Sequence, residues 1–153
     1  MTLRIVLADD HAPFRNCLKT LLDRQPGLSV VTDVGSGHAV VAALQVLGSS
    51  LEVDRADVVV LDMDLRDMSG LTAAGHILQM HPDVRILMLS WHDDLPFLRA
   101  ALELGVLGYM LKDDPLAELV HAVREVAEGR LGVSRRLQHA LRIPVVQSPH
   151  SAD

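Results

Sequence analysis

The chain has 153 residues, 49% hydrophobic and 22% charged, which suits one globular domain with a full core and excludes a disordered chain. Its net charge is −6 and only 3% of residues are aromatic, so the core must be aliphatic and the surface is a poor match for a nucleic-acid backbone. No stretch approaches the roughly 20 apolar residues of a membrane span, and the apolar run after Met1 is too short for a signal peptide; a cytoplasmic protein is expected.

The charge is uneven: residues 1–130 hold 11 Lys+Arg against 19 Asp+Glu, while residues 131–153 hold three Arg and one Asp. The single cysteine, Cys17, excludes an internal disulfide and reads as a small residue on a helix.

Five short apolar runs predict strands: Leu3–Ala8, Leu28–Val34, Asp57–Leu61, Arg85–Leu89 and Gly108–Leu111. They lack polar alternation, the pattern of strands covered on both faces. Helical periods lie between them. Phe14, Leu18, Leu21 and Leu22 form the first stripe, stopped by Pro26-Gly27, and Val40, Leu44 and Leu47 form the second, stopped by Gly48-Ser49-Ser50. Leu71, Ala74 and Leu78 give the third, before His81-Pro82. Phe97, Leu98, Ala101 and Leu102 give the fourth, closed by Gly105. Leu116, Leu119, Val120, Val123 and Ala127 give the fifth, ended by Gly129. Asp113-Asp114-Pro115 starts that helix with an acidic cap candidate and a proline. Past Gly129, Ser134 is a cap candidate for a short helix to about Arg142, and Pro144 and Pro149 mark a loose tail.

Alternation of this kind implies βαβ units and an α/β, doubly wound five-stranded parallel sheet, with the flavodoxin-like order 2-1-3-4-5. Ligands of such sheets sit at the carboxyl ends of the strands where the winding reverses, here between strands 1 and 3. Strand 1 runs into Asp9-Asp10 and strand 3 into Asp62-Met63-Asp64. Adjacent strands lie about 5 Å apart, so the switch point gathers at least three carboxylates, a costly arrangement unless a proton or cation intervenes. Hard oxygen donors point to Mg²⁺. A carboxylate so placed can also act as a nucleophile toward a phosphoryl group. Strand 4 ends at Ser90 and strand 5 at Lys112, one of two lysines among twelve arginines. A hydroxyl and a compact ammonium complete the parts that phosphoryl transfer needs.

At these residues the chain resembles response-regulator receiver domains of two-component systems. Ile5-Val6-Leu7-Ala8-Asp9-Asp10-His11 resembles their opening acidic pair. Val58–Leu61, Asp62 and Gly70 resemble the phosphoacceptor strand and loop. Ile86–Ser90 resembles the strand with the switch hydroxyl, and Gly105–Lys112 the strand with the switch aromatic and lysine. The resemblance spans about residues 2–130 and is strongest to the LuxR-type, nitrate-regulator-like subgroup, whose members normally continue into a helix-turn-helix DNA-binding domain.

The resemblance implies that Asp62 is the phosphoacceptor and that Asp10, with Asp9, holds Mg²⁺ alongside Asp62 and the backbone carbonyl of Asp64. Ser90 and Lys112 would each bind a phosphoryl oxygen, and Tyr109 would move inward as Ser90 swings, changing an output surface on helix 4, strand 5 and helix 5. It implies a sensor histidine kinase as donor, a homodimer, DNA contact only through a helix-turn-helix domain, no membrane contact, and no catalysis beyond the domain's own phosphorylation and dephosphorylation. Residues 1–130 are the expected receiver and 131–153 a linker or dimer-contributing helix with a tail.

Four residues depart from the family pattern. Arg66 stands where proline is usual, predicting a more mobile loop. Trp91 stands where a small residue is usual, and its bulk either hinders the phosphodonor or folds outward. Asp64 adds a third side-chain carboxylate, and His92 shares the rim, as a water-orienting group or a surface histidine. Two rival readings follow from the same residues. Asp62-Met63-Asp64 also resembles the nucleophile motif of haloacid-dehalogenase-type phosphatases, although the acidic pair lies upstream and little chain follows Lys112. Trp91 and Arg66 also suit a degenerate receiver that serves only as an interaction module. A flavodoxin-like nucleotide binder is weaker, because no glycine-rich loop follows strand 1.

Overall fold

The computed structural model describes residues 2–48 and 56–139. Strands β1 (Leu3–Ala8), β2 (Leu28–Val34), β3 (Val58–Asp62), β4 (Arg85–Ser90), β5 (Gly108–Leu111) and β6 (Gly132–Val133) alternate with helices α1 (Ala12–Asp23), α2 (Gly37–Gly48), α3 (Gly70–Met80), α4 (Leu95–Leu104) and α5 (Leu116–Ala127). All strand pairs are parallel, in the order β2-β1-β3-β4-β5-β6. The flavodoxin-like order is the expected one; β6 is an addition at the edge.

Side chains along each strand alternate between two aliphatic cores. Val6, Ala8, Val59, Leu61, Ile86 and Met88 face α2, α3 and α4, meeting Leu44, Ile77 and Leu98. Ile5, Leu7, Val58, Val60, Leu87 and Leu89 face α1 and α5, meeting Leu22, Val123 and Val126. Both faces are covered, which is why the strands read as continuous apolar runs.

Boundaries and caps differ from expectation at several points, among them the ends of β3 at Asp62 and β4 at Ser90, each one residue beyond the expected run. The third strand begins at Val58, because Asp57 turns its carboxylate onto the amide of Arg4 and gives its own amide to the Arg4 carbonyl. Asp113 and Asp114 do not cap α5: its N-cap is Pro115, and Asp114 accepts instead from the amide of Leu111 at 2.9 Å. Ser134 offers its carbonyl, not its hydroxyl, to Leu137 and Gln138, and the hydroxyl is buried with no hydrogen-bond partner among the described residues.

β6 escaped the sequence because it is two residues long and begins with glycine. Gly132 donates to the Leu107 carbonyl and Ser134 to that of Tyr109, so the chain runs close along β5. A Cβ at Gly132 would stand 2.8 Å from the Ala122 carbonyl oxygen, so only glycine fits without a shift. A helical segment over 135–139 follows, with Leu137 buried in the core beside Tyr109. The expected helix end at Arg142 and the tail with Pro144 and Pro149 lie outside the described residues. Among the described residues no helix is long and apolar enough to cross a membrane.

Candidate functional site

The site opens at the carboxyl ends of β1, β3, β4 and β5. Ala8 pairs with Leu61, which sets Asp9 beside Asp62 at the point where the sheet order reverses. Carboxylate oxygens of Asp9, Asp10 and Asp62 lie within 4.8 Å of one another. Lys112 reaches back under β4 from the end of β5: its Nζ lies 2.9 Å from Asp9 Oδ2 and 3.1 Å from Asp62 Oδ2.

The other oxygen of each aspartate is held by backbone. Asp9 Oδ1 accepts from the amide of His11 at 2.8 Å, and Asp62 Oδ1 from that of Asp64 at 3.1 Å. Two residues that the sequence did not single out complete this floor. The Phe14 ring lies 4.9 Å from Lys112 Nζ, a cation–π contact on the apolar side of the ammonium. Arg15 donates to the Asp9 carbonyl at 2.7 Å and pairs with Asp33 at 3.1 Å, fixing the turn after β1. Both sit on α1 at the turn that Pro13 starts; Phe14 opens the apolar stripe of that helix and reads there as core, and no sequence period sets Arg15 apart.

Burial pushes the Asp62 carboxyl up from its ordinary 3.8 to about 6, and the Asp9 charge adds to the rise. The Asp64 amide and Lys112 pull the other way without cancelling it. Burial also works against the Lys112 ammonium, but hydrogen bonds and charges from Asp9 and Asp62 outweigh it and hold its pKa above the ordinary value. Three carboxylates around one ammonium leave a net negative cluster of hard oxygen donors. That chemistry fits Mg²⁺, which takes one or two carboxylates and completes its shell with water and phosphate oxygens.

The rim gathers the remaining expected residues. Ser90 is fully buried at the end of β4 and its Oγ accepts from the amide of His92 at 2.8 Å. Tyr109 is fully buried too, with its hydroxyl donating to the His92 carbonyl at 2.9 Å. Burial raises the Tyr109 pKa despite a hydrogen bond with Ser90. The aromatic ring is therefore inward. Asp64 stays apart from the acidic trio: its carboxylate is exposed and lies 2.8 Å from His92 Nε2.

Of the two outcomes open for Trp91, the structure shows the outward one. The indole is 62% exposed and borders, without filling, a cavity of about 300 Å³ lined also by Asp10, His11, Phe14, Asp62, Asp64 and Lys112. Arg66 points toward the acidic pair, with Nε 3.9 Å from Asp10 Oδ2. Its loop is tied down in spite of the missing proline. Asp67 accepts from the amides of Gly37 and His38 and from the His38 ring, and Gly70 donates to the Met63 carbonyl at 2.6 Å.

Comparison with known proteins agrees with this geometry. Residues 5–124 match the response regulator receiver domain family. The chain is 36% identical over 140 residues to the oxygen regulatory protein NreC of Staphylococcus epidermidis, covering 91% of this chain and 61% of that protein. It is 32% identical over 139 residues to the transcriptional regulatory protein DegU of Brevibacillus brevis, covering 91% and 56%. The chain thus spans about three-fifths of the length of these relatives. A LuxR-family two-component response regulator from Aurantimonas sp. SI85-9A1 superposes with a TM-score of 0.87 at 30% identity, over 96% of this chain and all of that one. The receiver domain of the putative response regulator NarL from Mycobacterium tuberculosis gives 0.75 at 30% identity, over 84% and 98%. An acidic trio closed by a lysine from the fifth strand, in a chain matched over 120 consecutive residues, has one home: this protein belongs to the response-regulator receiver family, with relatives of the LuxR type.

Proposed function

We propose that the chain is a phosphorylation switch in which Asp62 accepts a phosphoryl group from a sensor histidine kinase. The observation that carries this reading is Lys112 Nζ between Asp9 and Asp62, with Asp10 in the same cluster, beside a cavity large enough for a phosphoryl group. A carboxylate oxygen of Asp62 attacks the donor phosphorus, the P–N bond to the donor imidazole breaks with its electron pair going to that nitrogen, and an acyl phosphate forms on Asp62. Asp9, Asp10 and Asp62 would hold Mg²⁺ together with the Asp64 carbonyl. Bound there, the ion neutralises charge on the transferring phosphoryl oxygens and keeps the Asp62 carboxylate ionised.

Lys112, already 3.1 Å from Asp62, is in reach of one phosphoryl oxygen, and the Ser90 hydroxyl supplies a donor to another. A phosphoryl group bound better by one arrangement of Ser90 and Tyr109 shifts the population toward it. The output is a homodimer or effector surface controlling transcription, with DNA contact assigned to a helix-turn-helix domain outside residues 1–153. In this division residues 1–130 are the receiver and 131–153 the linker helix and tail, whose first residues, through β6 and Leu137, pack back on the receiver's sheet.

The test is Mg²⁺-dependent binding of beryllofluoride, a phosphoryl mimic, read by fluorescence of Trp91, the single tryptophan. Binding by the native chain and its loss in Asp62→Asn supports the switch. No binding by a folded native chain sinks it and leaves the phosphorylation-independent interaction module.

A further inference from the structure

His92 makes more connections across the site than any sequence pattern indicates. Its ring is held from two sides: Nε2 lies 2.8 Å from Asp64 Oδ2, and the ring stacks on Phe97 with centroids 4.6 Å apart at 28°. Its backbone amide donates to Ser90 Oγ, and its carbonyl accepts from the Tyr109 hydroxyl. One residue thus joins the loop after β3, the first turn of α4, the end of β4 and the middle of β5.

We propose that His92 is a positioning residue whose ring, clasped between Asp64 and Phe97, fixes the backbone that holds the Tyr109 hydroxyl and the Ser90 Oγ. A buried tyrosine hydroxyl must find a partner, and the acceptor here is the main-chain oxygen of His92. That oxygen and the amide on Ser90 belong to the same residue. Movement of this backbone therefore releases both contacts together, whereas a clasped ring holds both. Without the clasp these contacts open more often, and part of the affinity for a phosphoryl mimic is then spent on closing them. The inference rests on the switch reading, because inward and outward places have meaning only there. It also separates two roles for Asp64, whose exposed carboxylate serves the clasp while its amide serves Asp62.

His92→Ala retains the amide and carbonyl of residue 92, so any effect on Tyr109 must pass through backbone position. Tyr109 is the single tyrosine, and ring-labelled tyrosine therefore gives one NMR signal from the 153-residue chain. Without metal or mimic, the native signal should be that of a buried ring, untouched by a soluble nitroxide and little changed by Mg²⁺ and beryllofluoride. In His92→Ala it should shift and broaden with the nitroxide, return on adding the mimic, and show an apparent Kd for the mimic weakened about five- to tenfold. His92→Gln, which keeps a donor toward Asp64, should recover much of the native signal. Asp64→Ala opens the clasp from the other side, should displace the ring similarly, and keeps the test alive should His92→Ala not fold. An unchanged Tyr109 signal in both His92→Ala and Asp64→Ala overturns the proposal, as does a native ring already exposed. Failure of beryllofluoride to bind the native chain would count against the switch, while the mimic-free spectra would still decide what His92 holds.

Discussion

The floor of the site and its rim solve the problem of clustered charge in opposite ways. Asp9, Asp62 and Lys112 have side chains 1%, 3% and 6% exposed and neutralise one another by direct contact. Arg66, Asp64 and Trp91 at the mouth are 84%, 61% and 62% exposed, so the Arg66–Asp10 pair at 3.9 Å and the Asp64–His92 pair at 2.8 Å are screened by water. Taking one partner from a buried cluster strands a charge in low dielectric, whereas an exposed pair loses little because water replaces the partner. Stability should therefore reside in the floor, and adjustment of the proposed switch in the rim.

The sharpest way to break that comparison is Lys112→Met, which preserves the apolar stem against Phe14 but removes the ammonium from Asp9 and Asp62. We expect a loss of about 3 kcal/mol in urea unfolding of the metal-free protein at pH 7, partly recovered by Mg²⁺. Arg66→Ala should move stability by no more than about 0.5 kcal/mol in the same assay. Equal effects of the two would abolish the distinction.

The next effect is a pH dependence confined to the floor. Asp62 titrates near 6 in the folded protein against 3.8 ordinarily, so the native state binds its proton more readily than the unfolded chain does. Its favourable contribution is complete below about pH 4, falls as the pH rises to about 6, and is gone above that. At ~1.4 kcal/mol per pH unit the span is about 3 kcal/mol. Unfolding free energies in a chelator between pH 4 and 7 should therefore decline in the native chain relative to Asp62→Asn, which cannot titrate. Parallel curves would mean that the carboxyl ionises at its ordinary pKa.

The same division explains what could be read from the sequence. Asp9, Asp10, Asp62, Ser90 and Lys112 stand at strand ends, and strand ends follow from apolar runs and one topological rule, so the floor was legible before any coordinates. Phe14 and Arg15 serve it from α1, where periodicity marks Phe14 only as one more core residue of the stripe and does not mark Arg15 at all. The rim was legible as residue types but not as contacts. Which way Trp91 turns, and that Asp64 leaves the trio for His92, depend on loops from different elements meeting in space. Proline at the fourth residue of the loop after β3 is one way to restrain it; hydrogen bonds to α2 are another, and only the structure reveals them.

Gly70 links floor and loop by close approach. A Cβ there would stand 2.3 Å from the Asp62 carbonyl oxygen and 2.7 Å from Met63 Cα, both backbone atoms that cannot swing aside. Gly70→Ala should therefore cost about 2 kcal/mol by displacing the strand end itself, and should weaken beryllofluoride binding although no ligand group is altered. Normal affinity in a destabilised variant would show that α3 yields instead of β3.

The smallest expected effect belongs to Asp67, which holds the loop after β3 against the start of α2. No acidic residue occupies the first turn of α2, and its free amides are met from outside: Asp67 accepts from Gly37 N at 2.8 Å, His38 N at 2.9 Å and His38 Nδ1 at 2.6 Å. These bonds hold the Asp67 carboxyl well below the usual carboxylate range. Its contribution is therefore present above about pH 4 and is lost as the pH falls toward the folded value. Asp67→Ala should speed hydrogen exchange at the amides of Gly37 and His38 and lower the melting temperature by less than Gly70→Ala does. Amides of the floor, at His11 and Asp64, should keep their protection. Unchanged exchange at Gly37 would assign the restraint to Met68, whose side chain fills the space a Cβ at Gly37 would need. The loop would then be held by packing rather than by charge, and its hold would no longer weaken with acid.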